Sequence, residues 1–161
     1  KVHLIKTARD IETRILKVPA GMQDYYGAMF GGLQSIHWGV AGNQRKVLDP
    51  HLLPEIDQRV LLFYSGKSRN SGINNWSVFK DFIDGVSPLR KRMERITEAT
   101  HALEKALMGG HWNQAREAID AEWEARKELA PGISTPEMNE AHATALTECP
   151  AAFKVSTFFL E

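Results

Sequence analysis

Residues 89–107 read Leu89-Arg-Lys-Arg-Met93-Glu-Arg-Ile96-Thr-Glu-Ala-Thr100-His-Ala-Leu103-Glu-Lys-Ala-Leu107, with Gly109-Gly110 close behind. Leu89, Met93, Ile96, Thr100, Leu103 and Leu107 step by 4, 3, 4, 3 and 4 residues. That spacing lines one stripe of an α-helix, and the paired glycines stop it. Trp112, Ala115, Ile119, Trp123 and Arg126 repeat the pattern up to Pro131-Gly132. Ser134-Thr135-Pro136-Glu137 then has the marks of a helix start: a hydroxyl cap, a proline in the first turn and a glutamate three residues after the serine. This helix is expected to run to about Glu148. Upstream, Ile73, Trp76, Phe79, Phe82 and Ile83 mark one more helix. Trp76, Trp112 and Trp123 all fall on apolar stripes and are read as core.

Strand-like segments flank this block. Arg59-Val-Leu-Leu-Phe-Tyr64 is a nearly continuous apolar run, as in a strand buried on both faces. Ala152–Val155 and Thr157–Leu160 are strand-like as well. Nearer the start, Val2, Leu4, Ile5, Ala8, Ile11 and Ile15 keep helical spacing until Pro19 breaks it. Ala20–Phe30 reads as a short helix headed by Gly21, and Gly31-Gly32 punctuates the chain. Leu33–Trp38 alternates as a strand does, and Arg45–Leu48 can return as its hairpin partner. Asp49-Pro50 and Pro54 read as a loop. The expected class is α+β: strands, then helices, then strands, with the Arg59–Tyr64 strand beside the C-terminal strands and the long helices on one sheet face.

Composition narrows the function classes. The chain has 161 residues, the size of one ordinary domain or a slice of a larger one. With 43% hydrophobic and 25% charged residues it is globular rather than disordered. Twenty basic residues balance twenty acidic ones, which argues against a nucleic-acid partner held by a basic face. No apolar run approaches the roughly 18 residues of a membrane span. Cys149 is the only cysteine, so no internal disulfide can form and a cytoplasmic setting is the default expectation. The first residue is Lys1 rather than Met, which suggests a piece of something longer.

Several chemistry-bearing groups have ordinary explanations. The histidines show no paired metal-ligand spacing, and Glu98-Ala-Thr-His101 has no second Glu-x-x-His to complete a di-metal site. No metal site is read. Arg90-Lys-Arg92 with Arg95 lies on the polar side of its helix, as a solvated face or, less simply, an anion site. Two stretches are harder to assign to packing. In Val18-Pro-Ala-Gly21-Met-Gln23-Asp24-Tyr-Tyr26, Asp24 falls in the first turn of a short helix. An ionised carboxylate there is favoured by the helix dipole and can accept a substrate proton; it can equally be a helix-capping acid. In Tyr64-Ser-Gly-Lys-Ser68-Arg69-Asn-Ser71-Gly72, an apolar strand enters a polar loop that opens a helix. Anions bind at such junctions, and a plain polar turn is the alternative. The P-loop pattern is absent.

Together these segments resemble the GHMP kinase family, most closely its sugar and D-glycero-D-manno-heptose 7-phosphate kinase branch. Gly21-Met-Gln-Asp24 looks like the family's Gly-x-x-Asp segment. Gly66-Lys-Ser-Arg-Asn-Ser71 looks like the branch's Gly–Ser-Arg-x-Ser loop, and Lys127-Glu-Leu-Ala-Pro-Gly-Ile-Ser-Thr-Pro-Glu-Met138 like its Lys-x-Leu-Ala-Pro-Gly-Ile-Ser-x-Pro-Glu segment. The family's phosphate-binding Pro-x-x-x-Gly-Leu-Gly-Ser-Ser-Ala motif does not occur in this sequence. No glycine separates the strands expected around Ser156 and Thr157, where the family has a Gly-rich loop. The family's final helix and strand are also missing, so the chain resembles the C-terminal portion of such a kinase. Tyr25 stands where many members carry Gln.

The resemblance implies a two-layer fold with a ferredoxin-like sheet. Residues 1–50 would be the end of the catalytic-Asp domain, and residues 51–161 a C-terminal domain incomplete at its end. It also implies a transferase that moves the γ-phosphoryl of ATP, with Mg²⁺, to a hydroxyl of a sugar or sugar phosphate. Asp24 would be the catalytic acid–base group. Gly21, Gln23 and Tyr26 would lie near the sugar, and Ser68, Arg69 and Ser71 would grip a phosphate on the substrate. The expected partner is the small-molecule sugar or sugar phosphate, with no nucleic acid, no membrane, and room for a homodimer. The competing reading is a non-catalytic or truncated α+β chain that binds sugar or serves as a scaffold.

Overall fold

A computed structural model describes residues 1–61 and 71–148. The strands expected at Ala152–Val155 and Thr157–Leu160 lie outside the described residues, as do Leu62, Phe63 and Tyr64 of the Arg59–Tyr64 run. What is described is α+β and mostly helical, with one two-stranded antiparallel sheet among the described residues. None of the described helices is long and apolar enough to cross a membrane. The chain forms two compact units, Lys1–Pro54 and Glu55–Glu161.

The first unit begins with α1 (Val2–Leu16), which ends as Lys17 turns left-handed at φ 56°. Pro19 follows within two residues and keeps the helix from resuming. The next helix, α2 (Gln23–Phe30), starts three residues later than the composition suggests, because Met22 is the non-helical cap. It stops at Gly31, whose φ of 64° and ψ of −174° is a conformation essentially reserved for glycine. The chain then enters β1 (Gln34–His37) and returns as β2 (Gln44–Val47), with Gln34 opposite Val47 and His37 opposite Gln44. The hairpin expected from alternation is therefore present, with β1 one residue shorter at each end than expected and β2 displaced by one residue.

Ile5, Tyr26 and Leu48 are buried in this unit. Tyr26 meets Trp38 edge-on at 5.7 Å between centroids and Phe30 at 5.8 Å. The carboxamide of Gln34 donates to the Tyr26 carbonyl at 3.0 Å, tying β1 to α2. Lys1 donates to the Met29 carbonyl, and Arg45 lies 4.3 Å from the Phe30 centroid. Both cations sit at the C-terminal end of α2, where the helix dipole favours positive charge.

The Asp49–Pro54 stretch, read as a loop, contains the start of α3 (Leu52–Asp57). Pro54 is accommodated because a first-turn residue needs no N–H for the helix ladder. Asp49 prepares the turn by accepting from the His51 backbone N–H at 2.9 Å.

In the second unit come α4 (Ser71–Ile83), α5 (Ser87–Met108), α6 (Trp112–Lys127) and α7 (Pro136–Glu148). The pair α5 and α6 is the most extensively packed. Ala99 and Ala106 of α5 and Ala115, Ala118 and Ala125 of α6 are buried; small side chains allow two helix axes a close approach. Thr100, assigned to the apolar stripe, is instead exposed and bonds back to the Ile96 carbonyl. Ala99 takes the buried place beside it.

Trp123 centres a cluster of Val78, Leu89, Ala130, Ile133 and Met138, with Met93 and Leu129 against it. The start of α7 is capped by Thr135, whose hydroxyl accepts from the Met138 N–H at 3.3 Å. The cap is the residue after Ser134, and Pro136 is the first helical residue. Of the tryptophans assigned to the core, Trp123 is 4% exposed but Trp76 is 57% exposed. Among the described side chains of α4, Val78 is buried, while Trp76, Phe79, Phe82 and Ile83 are exposed. The correction has a simple cause: when a helix carries apolar residues around much of its circumference, spacing alone does not say which side packs. Trp112 is half-buried under the guanidinium of Arg59, 4.6 Å from its ring centroid.

Candidate functional site

The segment around Asp24 is set by the pairing of α1 with α2. Ile5, Arg9 and Glu12 follow one another at steps of 4 and 3 residues along α1, so they share a face. Ile5 is buried. Arg9 Nη1 lies 3.7 Å from the Met22 sulfur, and its other donors bind Asp10 at 2.9 and 2.5 Å. The carboxylate of Glu12 accepts the hydroxyl proton of Tyr25. Two α1 side chains therefore hold the start of α2, at Met22 and at Tyr25.

Asp24 lies between these two anchors, in the first turn of α2. Its carboxylate is exposed and takes no hydrogen bond or ion pair among the described residues. The capping role therefore does not describe it: Met22 is the cap residue, and no side chain closes the N-terminus. What remains is a solvent-facing carboxylate at the positive end of a helix. Gln23 folds its carboxamide back over Gly21, into the space a Cβ at that position would occupy. Glycine there leaves room for that arrangement. Tyr26, expected near a sugar, is 3% exposed and packs in the aromatic cluster.

The second expected segment is only partly described. Ser68 and Arg69 lie outside the described residues. Ser71 is the first residue of α4, and its side chain lies outside them too. The basic run on α5 is partly neutralised within the fold: Arg92 and Arg95 both reach the Glu128 carboxylate, at 3.2 and 3.8 Å. That favours the solvated-face reading of this helix side.

Glu12 is the residue that sequence reasoning passed over. Its only signal was its place on the same α1 face as Ile5 and Arg9. The hydrogen bond to Glu12, partial burial, and the charges of Glu12 and then Asp24 push the Tyr25 phenol up to about 12. Because the folded value is raised, the folded state favours the protonated phenol. The stability this bond adds is complete below the ordinary tyrosine value near 10 and is lost as pH rises through about 12. A carbon-13 tyrosine titration should show Tyr25 ionising above Tyr25 in the Glu12→Gln variant. Coincident curves would show that the Glu12 charge does not act on the phenol.

A scan of the sequence against models of known protein families matches none, and a search of curated proteins returns no match. The functional reading rests on the quoted segments and on the geometry around Asp24.

Proposed function

We propose that this chain is part of an ATP-dependent small-molecule kinase of the GHMP type, acting on a hydroxyl of a sugar or sugar phosphate, with heptose phosphate favoured. The observation that supports it is the state of Asp24: a carboxylate at a helix N-terminus, exposed and unpaired among the described residues, within a Gly-Met-Gln-Asp segment. A base must come within hydrogen-bond reach of the proton it takes, and an exposed carboxylate is open to such an approach. Asp24 would take the proton of the sugar hydroxyl as that oxygen becomes the nucleophile. Gln23 can turn its amide from Gly21 toward a sugar hydroxyl. Tyr26 contributes by packing, keeping α2 in place. Arg69 with Ser68 and Ser71 would hold a substrate phosphate, for which the guanidinium fork is suited.

The described residues around Asp24 do not themselves fit ATP and Mg²⁺. No glycine-rich phosphate cradle accompanies Asp24 there, and the neighbouring carboxylate of Glu12 is already taken by Tyr25. On this reading nucleotide and metal are held elsewhere in the enzyme, and no step is assigned to them here. The same observation favours a second reading for the 161-residue chain taken alone: a non-catalytic α+β chain. Calorimetric titration of that chain with Mg-ATP should show weak binding and no appreciable turnover. Tight stoichiometric binding would overturn this division of labour.

The reading as a kinase is tested by a phosphoryl-transfer assay on the protein purified at its natural length. Mg-ATP is supplied with a panel of aldoses and heptose phosphates. ADP release that requires both a sugar and Asp24 supports the proposal. Absence of sugar-dependent ADP release across the panel removes it.

A further inference from the structure

We propose that Glu12 is a positioning residue for Asp24: through the Tyr25 hydroxyl it anchors the first turn of α2 to α1 and so fixes the backbone position from which the Asp24 carboxylate projects. The inference rests on the reading of Asp24 as the proton acceptor, and adds to it a residue from a different helix. Asp24 takes no hydrogen bond or ion pair among the described residues, so no partner of its own sets its direction. The point from which it projects is set by the backbone that carries it.

That backbone is the start of a helix of eight residues. Short helices are marginal by themselves and fray at their ends. No side chain caps this N-terminus, so the usual device for closing a first turn is missing. The contacts from α1 take its place. Arg9 reaches Met22, just before the first helical residue, and Glu12 holds Tyr25, just after Asp24. The two anchored residues bracket Gln23 and Asp24. Of the two contacts, a nitrogen–sulfur approach at 3.7 Å is the weaker, and a phenol donating to a carboxylate belongs to the stronger charge-assisted class. Glu12 is thus the stronger of the two α1 restraints on this turn. It never has to touch a substrate to act.

The test uses three variants of the chain. Glu12→Ala removes the acceptor, Tyr25→Phe removes the donor with the loss of one oxygen, and Glu12→Gln keeps an acceptor oxygen for the phenol. The readouts are amide hydrogen exchange at Tyr26 and Gly27, the first N–H groups of α2 with helical acceptors, and the three-bond HN–Hα coupling of Asp24, which reports its backbone φ. Glu12→Ala and Tyr25→Phe should speed exchange in this turn about tenfold, in keeping with loss of a part-exposed charge-assisted bond. They should also move the Asp24 coupling toward the averaged value of an unstructured residue. Glu12→Gln should stay close to the original protein in both. If Glu12→Ala fails to fold, Tyr25→Phe decides. A bond that merely joins two helices would lower the melting temperature and leave the Asp24 coupling unchanged, and that result would overturn the proposal. In the kinase assay the same two variants should lower kcat with KM for the sugar little changed. Failure of the kinase reading appears separately, as absence of sugar-dependent ADP release in the unsubstituted protein.

Discussion

Asp24→Asn is expected to lower kcat of the kinase by on the order of 10²–10⁴, the span for loss of a general base. The substitution keeps size and shape but removes the charge and the basic lone pair. KM for ATP should change little, since the nucleotide is held by other groups. Stability should barely move. The Asp24 carboxylate makes no hydrogen bond or ion pair among the described residues, so what is lost is its attraction to the N-terminus of α2, worth about 0.3–1 kcal/mol. A capping acid would behave in the opposite way, with near-normal turnover and a lower melting temperature. Measuring kcat and the melting curve on the same variant separates the two. Retention of more than about half the activity would take Asp24 out of the mechanism.

Trp123→Ala should destabilise the second unit by about 3–5 kcal/mol, the usual cost of truncating a buried aromatic to alanine. The indole is 4% exposed and touches elements from across that unit: Val78 on α4, Leu89 on α5, Ile133 in the loop after α6, and Met138 on α7. Ordinary domains are stable by only about 5–15 kcal/mol, so the variant should be partly unfolded in mild urea. Trp76→Ala is the matched control, because half of that ring is already in water. It should cost less than about 1 kcal/mol. Urea unfolding followed by far-ultraviolet circular dichroism measures both. Equal losses would mean that the outward face of α4 is packed as tightly as the Trp123 cluster.

Both predictions depend on distinctions that the sequence exposes unevenly. The long helices were legible because each repeats its apolar positions over several turns and closes with glycine or proline, as α5 does at Gly109-Gly110. The hairpin was legible from alternation on either side of a glycine-containing turn. The short helix α3 was hidden, because Pro50 and Pro54 mark a break and a helix start with equal force. The inward side of α4 was hidden for a different reason. Trp76 and Phe79 are larger apolar groups than Val78, yet Val78 is buried and they are exposed, and spacing does not record what a helix packs against. At the candidate site, Asp24 could be read from its segment. Glu12 could not, because its hydrogen bond to Tyr25 joins residues 13 apart in sequence, across the bend at Lys17–Pro19. No local pattern encodes such a pair.

The placement of the indoles has an optical consequence. Trp38 is the only tryptophan in Lys1–Pro54, and Trp76, Trp112 and Trp123 all belong to Glu55–Glu161. Trp38 is half exposed and stands edge-on to Tyr26, the residue that anchors α2 to its own core. Its emission therefore reports on the body that carries Asp24, while Trp123 reports on the helical one. With Trp38 replaced by Phe, fluorescence follows the helical unit alone, and the difference from the original chain isolates the other. An acrylamide quencher would reach Trp38 and Trp76 well before Trp123. The two units thus carry their own labels, and their melting can be followed separately in one cuvette without any added dye.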